Sequence, residues 1–471
     1  MNTYQKSMRI ESDSLGQLPV PEDAYYGIQT ERARCNFMLT HERLESYPCL
    51  IEALALVKYA CAEANRKLSL LDESKAQLIK EVCREISKGA HANHFVVDMI
   101  QGGAGTSTNM NMNEVIANRG LELMGKSRGD YRFLHPNNDV NMSQSTNDVY
   151  ASAARLAVIL YSAELKRVIT SLVVALEAKA SEFRGIVKVG RTQLQDAVPL
   201  GLDQEFSGFS ANLAEELLRL EQIEGWLAEI NLGGTAVGTG INTVPGYRKI
   251  AVEQLILISG VSLRSSANLV DASSNSSAFV MYSGALKILA TKLSKICNDL
   301  RLLSSGPRAG FCEIELPSVQ PGSSIMPGKI NPVIPEAVSQ SAFQVIGNDV
   351  AVTMAAEAAQ LQLNAMAPLV VFRTLSSMKL LIQAMNMLKE KCIIGIRANK
   401  EVCAESVRRS IGIATALVPV LGYDAASQIA KSSLMNGESV ARCALAHDAF
   451  DGDEQSIESL LDPISLLKPN L

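Results

Sequence analysis

Residues 286–303 read LKILATKLSKICNDLRLL and contain the repeat that decides the fold. Its apolar residues alternate at spacings of three and four, and they are Leu286, Leu289, Leu293, Ile296, Leu300 and Leu303. Such spacing places them on one side of an α-helix. A similar series begins at Phe206 and ends at Ile230. Two seams of this length predict long helices packed nearly parallel in a bundle.

Beyond these two seams, the chain contains three regions that differ in helix length and loop composition. Residues 1–143 alternate short helical patterns with loops rich in Gly and Asn, and residues 144–400 contain the long helical patterns. Residues 401–471 form shorter helices, with a break at Pro419 and Gly422. Strand signals are almost absent. We therefore expect an all-α chain with an N-terminal domain, a central helical bundle domain and a C-terminal domain.

The composition bounds the class of protein. The chain has 471 residues, which is too many for one core, and its net charge of −5 argues against a nucleic-acid partner. No run of eighteen apolar residues occurs, so we expect no membrane-spanning helix. The polar N-terminus is unlike a signal peptide, and the nine cysteines form no Cys-x-x-Cys pair. These features predict a cytoplasmic protein.

The usual cofactor motifs are missing from the sequence. The five histidines include no His-Glu-x-x-His, so no metal site is predicted. The glycine-rich segment 101–107 lacks the lysine of a phosphate-binding loop, and no strand pattern precedes it. We expect no bound nucleotide.

Four loops crowded with hydroxyl and amide side chains remain as candidates for chemistry. They lie at 106–109, 143–147, 191–195 and 323–331. Taken singly, each loop is best explained by helix capping, because Ser, Thr and Asn satisfy free amides at helix starts. Four such loops beside long apolar helices predict instead a pocket that binds a small anion through many donors and few cations.

Residues 321–332 read PGSSIMPGKINP, which resembles the signature loop of the fumarase/aspartase superfamily at every fixed position. The segments AYYGIQT at 24–30, QSTND at 144–148 and GRTQLQD at 190–196 are similar to other motifs of that family. The resemblance extends over essentially the whole chain. It implies an all-α, three-domain fold whose central helices assemble into the core of a homotetramer, with each active site shared by three subunits.

The resemblance also implies a reaction. These enzymes remove a proton beside one carboxylate of a small succinyl compound and expel a leaving group from the neighbouring carbon. By this similarity Ser323 is the base, and Lys329 and Asn331 bind the α-carboxylate. The residues implied for the β-carboxylate are Thr106, Ser145, Thr146 and Ser324. Those implied for the amino group are Asn147, Thr192 and Gln193.

Position 193 discriminates between two leaving groups. Related fumarases usually carry a histidine there, paired with a glutamate at the place of Glu336, because departing water needs a proton. Gln193 cannot titrate, and an ammonium group leaves as neutral ammonia without one. We therefore expect ammonia elimination from L-aspartate, with Glu336 in a supporting role. No cofactor is expected to be required, although magnesium stimulates some members of the family.

Some positions depart from the family pattern. Ala151 and Ser152 replace Pro-Thr, Val96 replaces the proline of Phe-Pro, and Ala367 replaces the glutamate of Asn-x-Met-Glu-Pro. Packing drift explains each change, but a relaxed pocket for a substituted aspartate or another succinyl amine is an alternative. A fumarate hydratase is a further alternative, which Gln193 disfavours. A non-catalytic structural relative is the last, and the intact Ser323 argues against it.

Overall fold

The computed structural model describes residues 7–467, and most of them are helical. The helices in the first half of the chain are α1 Ile28–Asn36, α2 Pro48–Lys67, α3 Glu73–Ser87, α4 Thr106–Leu123, α5 Thr146–Glu182 and α6 Leu202–Leu227. Those that follow are α7 Tyr247–Ser259, α8 Leu269–Ala272, α9 Ser277–Leu303, α10 Val333–Glu357 and α11 Ala367–Lys391. The last are α12 Lys400–Arg409, α13 Val418–Leu421, α14 Tyr423–Asn436, α15 Val440–Leu445 and α16 Glu454–Leu460. The expected all-α class is confirmed.

Short strands accompany the helices, although the sequence shows almost no strand signal. The strands are β1 Met8–Asp13, β2 Gly16–Pro21, β3 Val187–Thr192, β4 Gln195–Gly201, β5 Glu229–Ile230, β6 Arg264–Ser265, β7 Ile314–Glu315 and β8 Arg397–Ala398. They pair two by two, and the β1–β2 and β3–β4 pairs are antiparallel hairpins. Strands β5 to β8 have two residues each, too few for an alternating pattern, and the two longer hairpins lack the Asn-Gly turn that signals a hairpin in a sequence.

The apolar seams of the sequence are buried. Every member of the series from Leu286 to Leu303 on α9 is at most 5% exposed. In the other series Phe206, Leu213 and Leu227 on α6 have no exposed surface. The prediction of long helices packed through these residues is therefore confirmed. No helix within residues 7–467 is long and apolar enough to cross a membrane.

The chain divides into two compact units. The first contains the described residues up to Lys166 together with Leu218–Ile288 and Phe343–Leu381. Within it α2 packs against α3 and α7, and α4 packs against α1 and α3. The second contains Arg167–Leu217, Leu289–Ala342 and the described chain from Ile382 onward. The division into three contiguous domains stays a prediction.

The C-terminal helices in the second unit have a small core of their own. Leu417, Ile429, Ile457 and neighbouring alanines pack together there. Pro419 lies in the first turn of α13, and Gly422 ends that helix with a φ of 80°. The predicted break at these two residues is confirmed.

A buried glutamate organises the amino-terminal motif at 24–30. The carboxylate of Glu114 on α4 accepts hydrogen bonds from the backbone N–H groups of Gly27, Gln29 and Thr30, at 2.8, 2.8 and 3.1 Å. These are free donors at the start of α1, so the carboxylate takes the place of a local cap. Burial raises the pKa of Glu114 to about 7. The motif is thus a structural anchor in the first unit.

Replacing Gly27 by alanine should destabilise the fold. A Cβ at this position would lie 2.5 Å from Tyr131 Oη and 2.7 Å from Glu11 Oε2, so the buried polar cluster would have to shift. We expect Gly27→Ala to lower the free energy of unfolding by about 1–3 kcal/mol in chemical denaturation. Gly102→Ala is the control, because its Cβ would meet Phe37 at an ordinary 3.7 Å. Equal stability of the two variants would contradict this role for Gly27.

Candidate active site

Helix α5 begins with a reciprocal cap at the polar loop 143–147, which contains predicted substrate-binding residues. The hydroxyl of Ser145 accepts from the backbone N–H of Asn147 at 3.3 Å, and the Asp148 carboxylate accepts from the N–H of Ser145 at 2.9 Å. This pairing is a capping box, with Asp148 in the position that Glu or Gln usually takes. The cap fixes the backbone positions from which the side chains of Ser145, Thr146 and Asn147 extend.

Asp148 also ties this helix end to the glycine-rich segment 231–240 of the same unit. Its second oxygen accepts from the backbone N–H groups of Gly233 at 2.8 Å and Thr235 at 3.2 Å. The Asn147 side chain donates to the Ala236 carbonyl at 2.7 Å. Burial raises the pKa of Asp148, which has no exposed surface, while the three backbone donors oppose that shift. The loop is held by hydrogen bonds at several points.

A buried lysine lies behind the same loop. Lys58 on α2 has no exposed surface, and its ammonium group donates to Asn141 Oδ1 at 2.9 Å and Gln144 Oε1 at 2.8 Å. The Asn109 side chain bridges Asn141 Oδ1 at 3.1 Å and the Thr146 hydroxyl at 3.2 Å. This Lys58 network therefore connects a buried cation to one of the predicted carboxylate ligands.

Thr106 is the first residue of α4, and the backbone before it is unusual. Gly103, Ala104 and Gly105 all have positive φ, at 90°, 55° and 93°. A side chain at Gly105 would meet the Tyr150 ring at 2.6 Å, so glycine is required for this close approach to α5. The exposed Thr106 donates to the Gly103 carbonyl at 2.8 Å. Asn109 lies about one turn further along α4, and its side chain connects this helix to the Lys58 network.

Thr192 and Gln193 lie at the tip of the β3–β4 hairpin. Thr192 pairs with Gln195, so Gln193 and Leu194 form the turn, with φ values of 55° and 61°. Two successive non-glycine residues in the left-handed region cost free energy, and such strain concentrates at functional sites. Leu194 is 63% exposed, so no packing explains it. The turn thus presents Gln193 to solvent at an energetic cost.

A buried ion pair anchors this hairpin. Arg191 donates to Glu313 Oε1 at 2.7 Å and lies over the Phe311 ring, 4.1 Å from its centroid. Glu313 has no exposed surface and also pairs with Lys188 at 3.1 Å. Arg191 is therefore held by the protein itself. The hairpin tip projects from a fixed base.

The signature loop folds back on itself. The Gly322 N–H donates to the Lys329 carbonyl at 2.8 Å, and the Asn331 side chain donates to the Gly322 carbonyl at 2.7 Å. Ser323 and Lys329 line one open concavity of about 540 Å³ inside the loop. The structure thus brings Ser323, Lys329 and Asn331 together.

Ser323 has a distinctive environment within this loop. Its Oγ accepts hydrogen bonds from the backbone N–H groups of Met326 at 2.9 Å and Ile325 at 3.2 Å. Two amide donors aimed at one hydroxyl oxygen stabilise negative charge on it. Ser324 is exposed beside it, and Glu336 is half-buried in the first turn of α10.

The predicted residues thus lie in three groups, whose functional roles stay predictions. Thr106, Ser145, Thr146 and Asn147 belong to the first unit, and the hairpin tip and the signature loop belong to the second. Sequence reasoning missed Lys58 and Asn141, which hold the first group in place. The available signal was a single lysine in the apolar centre of α2. Across residues 7–467 no three His, Cys, Asp or Glu side chains form a group able to hold a metal ion.

Two of the departures from the family pattern are accommodated by packing. The Val96 N–H, which a proline would lack, donates to Asn111 Oδ1 at 3.0 Å. The buried Ser152 hydroxyl lies 3.3 Å from Asn231 Oδ1, in a bond that threonine could also make. The other two, Ala151 and Ala367, line one cavity together with Thr146 and Asn147.

The burial of Lys58 should be visible in the pH dependence of stability. Burial lowers the pKa of Lys58 from 10.5 to about 8, although the charge of Asp148 opposes the shift. Between pH 8 and 10.5 the unfolded chain therefore holds a proton that the folded chain has lost, so this lysine makes stability rise with pH. We expect the free energy of unfolding, relative to Lys58→Met, to rise by roughly 1 kcal/mol per pH unit in that range.

Chemical denaturation at several pH values measures this difference. Lys67→Met on the same helix is the control, because Lys67 is exposed, and its curve should run parallel to that of the unchanged protein. A Lys58→Met curve that also runs parallel would contradict the account of Lys58.

Family comparisons agree with the geometry. A family model described as "Lyase" matches residues 16–347, and one described as "Fumarase C C-terminus" matches residues 413–468. The aspartate ammonia-lyase of Pseudomonas aeruginosa is 56% identical over 466 residues, which cover 99% of this chain and 98% of that protein. The Helicobacter pylori (strain J99) and Bacillus subtilis proteins of the same name are 47% and 46% identical, each over at least 98% of both chains.

Solved structures give the same result. The structure of "fumarate lyase:delta crystallin from Brucella melitensis bound to cobalt" superposes with a TM-score of 0.95 at 54% identity, covering 98% of this chain and all of that one. The class II fumarase of Schistosoma mansoni superposes with a TM-score of 0.94 at 31% identity, covering 99% of this chain and all of that one. Family model, relatives and fold thus agree along the chain, which belongs to the fumarase/aspartase superfamily of lyases.

Proposed function

We propose that this chain is a carbon–nitrogen lyase that reversibly eliminates ammonia from L-aspartate to give fumarate. The observation that carries the proposal is the environment of Ser323, whose Oγ accepts two backbone hydrogen bonds within the family's signature loop. The relatives named aspartate ammonia-lyase, at 45–56% identity, support the choice of substrate.

The proposed reaction begins with removal of a proton from C3 by Ser323. A hydroxyl is a weak base, and the amide donors of Ile325 and Met326 favour its ionised form. The electron pair of the C3–H bond delocalises onto the adjacent β-carboxylate. Collapse of that charge forms the double bond, breaks the C2–N bond and releases ammonia with its electron pair.

Fixed donors are proposed to stabilise the charge that accumulates on the β-carboxylate. The hydroxyls of Ser145, Thr146 and Ser324 serve this purpose in the proposal, and the Thr106 hydroxyl joins them by turning its proton away from the Gly103 carbonyl. The Lys58 network supports it, because the Thr146 hydroxyl already accepts from Asn109 and keeps its own proton for substrate. Donors held in place before the reaction cost no reorganisation during it.

The remaining residues are proposed to bind and orient the substrate. Lys329 acts as a point charge on the α-carboxylate, and Asn331 adds a directional hydrogen bond. The substrate's amino group faces Asn147, Thr192 and Gln193 in this scheme. Glu336 supports the site from the start of α10. The chemistry as proposed needs no metal or cofactor, and activation by magnesium at an unidentified site stays open.

The amide side chain of Gln193, at the exposed tip of the hairpin, favours ammonia over water as the leaving group. A residue that cannot titrate gives no proton to a departing hydroxide, whereas ammonia leaves unaided. A substituted aspartate is the second candidate substrate, because Ala151 and Ala367 share a cavity with Asn147. Fumarate hydration and a non-catalytic role rank below these two.

Absorbance of fumarate tests the reaction with purified protein and with L-aspartate and L-malate supplied separately. We expect fumarate from L-aspartate alone, and we expect Ser323→Ala to lower the rate by at least about a thousandfold. Ser181→Ala, which changes an exposed serine outside the signature loop, is the control and should keep its activity. Activity with L-malate alone would overturn the assignment of Gln193. Inactivity with both substrates would direct the search to N-substituted aspartates.

We also propose that the protein is a cytoplasmic homotetramer. Helix α10 carries exposed apolar residues on one face, with Phe343, Val350 and Met354 at 61%, 56% and 67% exposure. Their spacings of seven and four place them in one stripe, which a second copy of the chain would cover. The assembly implied by the family uses such central helices.

Light scattering measures the assembly. We expect a mass near four times 50.7 kDa for the unchanged protein. Changing Phe343 and Val350 together to glutamate should shift the mass toward the monomer, because two charges would be buried without partners. Leu15→Glu, on a hairpin turn at 78% exposure, is the matched control and should stay assembled. A tetramer that survives the double change would show that this stripe is not an interface.

A further inference from the structure

A small cavity of about 40 Å³ lies in the first unit, and we call it the Arg155 cavity. Ala151 and Arg155 on α5 line it, together with Ala367, Val370 and Val371 at the start of α11 and Ser273–Ser276 just before α9. Its volume leaves room for a group of a few non-hydrogen atoms, but not for a four-carbon dicarboxylate.

Arg155 is a buried cation without a carboxylate partner. It is 8% exposed, and it donates to the backbone carbonyls of Trp226 at 3.2 Å and Asn275 at 3.1 Å. Within residues 7–467 no carboxylate forms an ion pair with its guanidinium, which lies over the Phe279 ring with its Cζ 5.8 Å from the ring centroid. Buried charges in proteins are usually paired, so this arrangement calls for an explanation.

Positive potential at the cavity comes from Arg155 and from three helix starts, while the carboxylates of Glu229 and Asp271 act on Arg155 from outside the lining. The starts of α5, α9 and α11 all border it, and each long helix contributes the positive end of its dipole. None of the residues lining it carries a carboxylate. Burial lowers the pKa of Arg155 to about 10, so the guanidinium remains charged at neutral pH.

Ala367 gives the cavity its present size. The family resemblance implies a glutamate at this position, and Ala367 lines the cavity together with Arg155, so a longer side chain here would extend toward that cavity. The alanine removes both a negative charge and the volume of a carboxymethyl group. Ala151 is a second small residue on the facing helix. The cavity is therefore about as large as a carboxymethyl group, and its lining contains a cation but no carboxylate.

We propose that the Arg155 cavity binds a small monocarboxylate, such as formate or acetate, in place of the missing glutamate side chain. The planar carboxylate suits the donor geometry of a guanidinium, and the walls formed by Ala151, Val370 and Val371 suit a methyl group. The site lies beside Thr146 and Asn147, so its occupant stabilises the same end of α5. The cavity borders Thr146 and Asn147 of the proposed substrate site, but binding of a monocarboxylate in it requires no reaction.

Thermal unfolding of the full chain in sodium acetate, compared with sodium gluconate at equal ionic strength and pH, tests the proposal. Gluconate carries the same charge but is too large for the cavity. We expect acetate to raise the Tm saturably by roughly 1–2 °C, because a ligand that binds only the folded state stabilises it. Ala367→Glu should raise the Tm without acetate and abolish the response to it.

Three further variants separate charge, size and location. Ala367→Gln fills the cavity without neutralising Arg155, so it should lose the acetate response without the gain in Tm. Ala151→Val narrows the cavity from the other helix and should also lose the response. Lys329→Ala removes a cation of the candidate active site, and this variant should keep the response of its Tm to acetate. Equal effects of acetate and gluconate, or a response that survives Ala367→Glu and Ala151→Val, would overturn the proposal.

Discussion

The buried ammonium group of Lys58 constrains much of the first unit. An ion without exposed surface costs several kcal/mol unless polar groups surround it, so α2 needs oxygen acceptors at this level. Asn141 and Gln144 supply them, at 2.9 and 2.8 Å. Asn109 extends the network to the Thr146 hydroxyl at 3.2 Å. The hydrogen bonds that stabilise the buried ammonium group therefore also orient Thr146, a proposed substrate-binding residue. The reciprocal cap of Ser145 and Asp148 fixes the backbone of the same loop.

Much of this architecture could be predicted from the sequence, because the long helices repeat a simple pattern. The seam from Leu286 to Leu303 is buried as expected. The signature loop was recognisable because its fixed residues are contiguous, and its internal hydrogen bonds are correspondingly local. Lys58 was not predicted, because its partners lie far away in sequence. The β3–β4 hairpin was missed for a different reason: its turn uses Gln193 and Leu194 where asparagine and glycine are the usual signal.

The departures from the family pattern divide into two kinds once the structure is known. Val96 and Ser152 find hydrogen-bond partners and change nothing that faces a cavity. Ala151 and Ala367 are far apart in sequence yet line one cavity beside Asn147, where they leave space and an unpaired arginine. A single sequence cannot distinguish these kinds, because the difference depends on which side chains meet across helices. We attribute the first pair to packing drift, and we propose a change in ligand binding only for the second pair, which lines a cavity.

The proposed reaction depends on Ser323, whose Oγ accepts from the amides of Ile325 and Met326, as the base that acts on C3 of the substrate. Hydrogen exchange tests it most directly: the protein is supplied with fumarate and ammonium in D2O, and the aspartate formed is followed by NMR. We expect aspartate with one deuterium at C3, in a single stereochemical position, and no such product with Ser323→Ala. Undiminished deuterium incorporation by Ser323→Ala would show that another group transfers the proton.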